Sequence, residues 1–94
     1  MSTNLPTAPL FLQIAAKRLP YPGEALASRM YRETIVRYDR ETGRGGASTV
    51  PQCHIVTDDG EVVGYVSYNG KVWAGDPKAW VAGNEPLFVP ASAG

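Results

Sequence analysis

The segment Cys53–Gly75, CHIVTDDGEVVGYVSYNGKVWAG, sets two glycine corners, Asp59-Gly60 and Asn69-Gly70, between runs rich in Val, Ile, Tyr and Trp. Asp-Gly and Asn-Gly supply the positive φ that tight hairpin loops require. Branched and aromatic residues fit a pleated surface. The segment therefore predicts three consecutive antiparallel strands at about 52–57, 61–68 and 71–75. With two-residue loops, Val66 faces Trp73, Tyr65 faces Ala74, Ile55 faces Gly64 and His54 faces Tyr65. Side chains alternate across a sheet. One face then carries Cys53, Ile55, Val62, Val66, Tyr68 and Trp73, and the other His54, Val56, Val63, Tyr65, Ser67 and Val72. Neither is the polar face of a half-wet sheet, and Val62–Tyr68 holds no charge. Each face needs a cover. A three-residue first loop would exchange the faces of 52–57 and leave that need unchanged.

The remaining sequence supplies the candidate covers. Thr7 and Pro9 are placed to start a helix, and Leu10, Phe11, Ile14 and Ala15 follow at helical spacing. Lys17-Arg18 suit its negative end, and Pro20 ends it. The same run also reads as extended. Glu24–Met30 predicts a second short helix; Tyr31–Arg40 could prolong it, with Met30, Thr34 and Arg37 along one line, but Thr34-Ile35-Val36-Arg37-Tyr38 favours a strand at about 33–40 before a turn at Glu41-Thr42-Gly43. The glycines of 43–46 predict a mobile tip. Asp76 and Pro77 start a short helical turn reaching Ala82. Leu87-Phe88-Val89 forms an edge strand or lies across the sheet. The expected fold class is α+β: a small antiparallel β-meander of three to four strands, packed by short N-terminal helices and a short C-terminal helical turn.

The chain has 94 residues, 44% of them hydrophobic and 19% charged, values that fit one small domain over 1–94 with loose ends at 1–6 and 91–94. A starting Met and a small-residue tail are expected of a whole small gene product. The single cysteine, Cys53, excludes an internal disulfide. Leu10–Ala16 is too short to cross a bilayer, and its basic pair follows it, the wrong order for a signal peptide. A cytoplasmic location without membrane contact is expected. Nine basic and nine acidic residues cancel, but seven basic and four acidic residues lie before residue 45, against two and five after it. That permits a mildly basic patch, short of the excess of a dedicated nucleic-acid binder.

Catalytic motifs are sparse. Cys53 and His54 are neighbours, but in a strand they point to opposite faces and form no nucleophile–base pair. With no further His or Cys, a structural metal site lacks ligands, and no cofactor or catalytic residue is expected. Asp58, Asp59 and Glu61 read as a solvated corner. Gly43-Arg44-Gly45-Gly46 lacks the following helix of a phosphate-cradling loop.

The expected role is a non-enzymatic binding, inhibitor or adaptor protein working through an apolar, Tyr-rich sheet surface. Its partner is another protein or a second copy of itself, and its contact residues are Tyr65, Val72, His54, Tyr68 and Trp80. Size class alone, and no residue, adds the expectation of a phage or mobile-element product. The alternative is weak nucleic-acid or nucleoprotein binding through a basic hairpin at 37–44, with Arg37, Arg40 and Arg44 on the phosphates and Tyr38 for stacking. Asp39 and Glu41 interrupt that run and rank it second.

Overall fold

In the computed structural model the chain forms β1 (Leu10–Ile14), β2 (Lys17–Pro20), α1 (Glu24–Thr42), β3 (Cys53–Thr57), β4 (Val62–Val66) and β5 (Val72–Ala74). The structure describes residues 5, 9–44, 46, 49–77, 83 and 85–90. The strands make one antiparallel sheet in the order β2-β1-β3-β4-β5. The fold is α+β, with five strands and a single described helix. Because β1 lies between β2 and β3, α1 has to cross over the sheet to link them, and it comes nearest β4 and β5.

The expected first helix is instead the β1–β2 hairpin. Alternation wins over helical spacing here: Leu12 and Ile14 are buried, while Phe11 and Gln13 turn to the other face. The two-residue loop Ala15-Ala16 holds Ala15 at φ 54, a conformation that glycine or asparagine usually supplies. Without either residue, the sequence gives no sign of the turn.

The short helix expected at 24–30 runs on to Thr42 and absorbs the strand expected at 33–40. Ala27, Tyr31 and Ile35 recur every four residues on its buried side, with Met30 and Tyr38 beside them against the core. That packing outweighs the small helix penalty of β-branched residues. The hydroxyls of Thr34 and Thr42 donate to the carbonyls of Met30 and Tyr38, four residues back. Gly43, left-handed at φ 71, ends the helix and returns its N–H to the Asp39 carbonyl at 2.7 Å.

Both glycine corners are three-residue loops. Gly60 and Gly70, each at φ +90, occupy the third loop position, and their N–H groups donate to the Thr57 and Ser67 carbonyls. At the second corner this moves the partner strand by one residue. Val66 faces Val72 and Tyr65 faces Trp73. Val72, expected on the partner-binding face, is therefore in the core with no exposed surface, and Trp73 takes the outer position. At the first corner a bulge between Ile55 and Val56 absorbs the extra residue, so His54 still faces Tyr65 and Ile55 still faces Gly64.

Under the helix lie Leu12, Ile14, Cys53, Ile55, Val66 and Val72. Leu12, Ile55 and Val72 are fully buried, a gain of about 1.5–3 kcal/mol each. Two polar ties hold the layers together. Ser28 Oγ donates to the Gly70 carbonyl at 2.6 Å, and Tyr31 Oη donates to the Pro51 carbonyl at 2.7 Å. The edge at β5 is partly capped, since Val72 exchanges backbone hydrogen bonds with Leu87 and Phe88. The expected helical turn is described only as far as Pro77, and its remainder, most of the tails and much of the 43–48 loop fall outside the described residues.

Candidate functional site

No described helix covers the second face of the sheet. Cross-strand pairing lines up five residues there in one row, one from each strand: Arg18, Gln13, His54, Tyr65 and Trp73. At one end of the row the Tyr65 and Trp73 rings stack, with centroids 6.2 Å apart and planes 11° from parallel. Such a pair is worth about 0.5–1.5 kcal/mol beyond the area it buries. Both rings are only partly buried, so part of their surface is available for contact. Burial nevertheless pushes the Tyr65 phenol above its ordinary range. The stack and the exposed Tyr68 line a shallow concavity of about 460 Å³ that also includes Lys71 and Pro77.

The other end of the row is polar. The Arg18 guanidinium lies 5.7 Å from the Phe11 ring centre and donates to Gln13 Oε1 and the Asp58 carbonyl at 3.3 and 3.2 Å. It is thereby fixed over the sheet instead of extending freely into solvent. Val56, in the neighbouring row, is buried although it lies outside the cluster under the helix.

Comparison with protein-family models, curated proteins and solved structures finds no match to this chain. Any functional reading has to rest on its own surfaces.

Of the residues expected at the partner surface, Tyr65 and His54 are brought together in the row, and Tyr68 stands beside it. Val72 is in the core, and Trp80 lies outside the described residues. Gln13, Arg18 and Trp73 complete the row but were not expected there. The first two lay in a presumed helix, and the third on the opposite face. The basic hairpin expected at 37–44 is the last part of α1 and its end. Arg37 and Arg40 are on the exposed side of the helix, Arg44 is beyond it, and Tyr38 packs against the core.

Cys53 and His54 point to opposite faces, Cys53 inward with 1% exposure and His54 into the row. Among the described residues, no three His, Cys, Asp or Glu side chains gather as a metal site would require. Burial pushes the Cys53 thiol up to about 12, which leaves almost no thiolate near neutrality. Iodoacetamide at pH 8 is therefore expected to leave Cys53 unmodified in the folded protein and to alkylate it fully in denaturant. Intact mass would check this, and rapid native modification would contradict the burial.

Proposed function

We propose that this protein binds another protein through the face of its sheet opposite α1, as an adaptor or inhibitor without a reaction of its own. The observation that carries the reading is the row ending in the Tyr65–Trp73 stack. Two rigid rings held against each other lose little conformational freedom on binding, and aromatic residues with arginine are the usual energetic centres of protein interfaces. Hydrogen-bonding residues, Gln13 and His54, flank the stack along the row, and Arg18 closes it. The sheet edges are less suited to the task. β2 is four residues long and carries Lys17, Arg18 and Pro20, features that discourage strand addition, and β5 is bridged at Val72 by Phe88. The face is therefore better suited to contact than either edge of the sheet.

Tyr65→Glu tests it. A charge inside the stack is expected to reduce capture of a partner from the native host's lysate at least tenfold. Losing the ring pair should cost the fold about 0.5–1.5 kcal/mol, so melting curves should show the variant still folded at the temperature of the capture. Hydrogen exchange over residues 61–75 should slow in the wild-type complex. Equal capture by both proteins, or a wild type that stays monomeric and retains nothing, would sink the reading.

A further inference from the structure

The outer side of α1 carries a second surface. Leu26, Arg29, Glu33, Val36, Arg37 and Arg40 recur every three or four residues there, opposite the buried Ala27, Tyr31 and Ile35. With Phe88 and Pro90 they line an open groove of about 880 Å³. From Leu26 to Arg40 it follows roughly 21 Å of helix, at about 1.5 Å per residue. Its charge is one-sided, with Arg29, Arg32, Arg37 and Arg40 against Glu33 alone. No hydrogen bond or ion pair occupies these four guanidinium groups among the described residues. Its apolar part is exposed as well, Leu26 at 45% and Val36 at 56%. A protein with no net charge thus concentrates arginines that have no partner among the described residues around exposed apolar side chains.

The geometry points to an acidic amphipathic peptide segment as the occupant of this groove, with apolar side chains on Leu26, Val36 and Phe88 and carboxylates on the arginines. Charge complementarity selects an acidic partner, and arginine pairs well with carboxylates through its planar fork. The apolar strip selects a peptide over a nucleic-acid backbone. Phosphates would engage the arginines but leave Leu26 and Val36 in water, and Tyr38, half-buried against the core, does not line the groove where it could stack on a base. A second copy fits less well. The chain's own acidic corner, Asp58, Asp59, Gly60 and Glu61, is fully polar and offers nothing to the strip. The groove lies outside the helix and the aromatic row beyond the sheet, so the two surfaces can be occupied at once.

The test uses a fluorescent 16-residue peptide with Leu and Phe at helical spacing and Glu and Asp elsewhere. A poly-glutamate of equal charge and a 16-nucleotide single-stranded DNA serve as comparators, and anisotropy is the readout. The amphipathic peptide is expected to bind at least tenfold more tightly than either comparator. Arg29→Glu with Arg37→Glu should weaken it at least tenfold, and Val36→Ser at least threefold, while Tyr65→Glu leaves it unchanged. Melting curves verify folding, and Val36→Ser serves alone if the charge-reversed protein does not fold. Three results would overturn the inference: no peptide binding, poly-glutamate or DNA binding as tightly as the peptide, or affinity unaffected by both sets of changes. Self-association of the wild type that the arginine changes abolish would assign the groove to a second copy and overturn it too.

Discussion

Gly70→Ala is expected to destabilise the fold by about 2–5 kcal/mol, whereas Gly60→Ala should cost only about 1–2 kcal/mol. The two glycines hold the same place in their loops, and both have φ +90. A side chain at either position therefore meets the same backbone penalty, about 1–2 kcal/mol. Their surroundings differ. A Cβ on Gly60 would meet only the end of the Arg18 side chain, at 3.4 Å. A Cβ on Gly70 would lie 2.9 Å from Ser28 Oγ, 3.0 Å from Arg32 Cδ and 3.1 Å from Pro90 Cγ. Ser28 is buried and donates to the Gly70 carbonyl itself, so pushing it away breaks a polar tie between helix and sheet. Leaving that hydrogen bond unmade adds about 1–3 kcal/mol. In a domain of this size each kcal/mol lowers the melting temperature by about 4–8 °C. Thermal melts of the two variants should thus separate clearly. Equal losses would mean that the helix does not rest on the second turn as described.

The two glycine corners and the strands between them were legible because only a few residues tolerate positive φ, and Asp-Gly and Asn-Gly announce it. Loop length was not. Whether glycine is the second or third loop residue shifts the pairing by one, and at Asn69-Gly70 that shift moves Val72 into the core and Trp73 beside Tyr65. The aromatic stack was hidden by a single-residue ambiguity. At the first corner the bulge at Ile55 and Val56 cancelled the same error, which is why the His54–Tyr65 pairing stood. The β1–β2 turn offered no signal, as Ala15 takes a conformation its sequence does not advertise. The helix did offer one. Ala27, Tyr31, Ile35 and Tyr38 keep a single stripe through the β-branched residues, and periodicity was the better guide there than local propensity. The full row from Arg18 to Trp73 also needs β1 beside β3, a pairing between distant segments that no local pattern encodes.

Stability is expected to fall steeply above about pH 9, with buried acids as the cause. Burial pushes the Cys53 thiol and the Tyr31 phenol each up to about 12, and Cys53 adds a smaller repulsive influence on Tyr31. Tyr21 is raised as well, first by burial and then by the hydrogen bond its hydroxyl donates to Glu24. Unfolded, a thiol releases its proton near pH 8.5 and a phenol near about 10. Between those values and about 12 the unfolded chain therefore binds fewer protons than the fold, and each such group removes roughly 1.4 kcal/mol of stability per pH unit. The contribution is complete below the unfolded values and is lost as pH rises towards the folded ones. Cys53 and Tyr31 are 1% and 3% exposed, so solvent does little to soften their effect. Urea midpoints at pH 8, 9.5 and 11 should fall progressively. Cys53→Ala should flatten the fall from pH 9 onward, and Tyr31→Phe only above pH 10, at the cost of the bond to the Pro51 carbonyl at every pH. A wild-type midpoint unchanged between pH 8 and 11 would place neither group in the core.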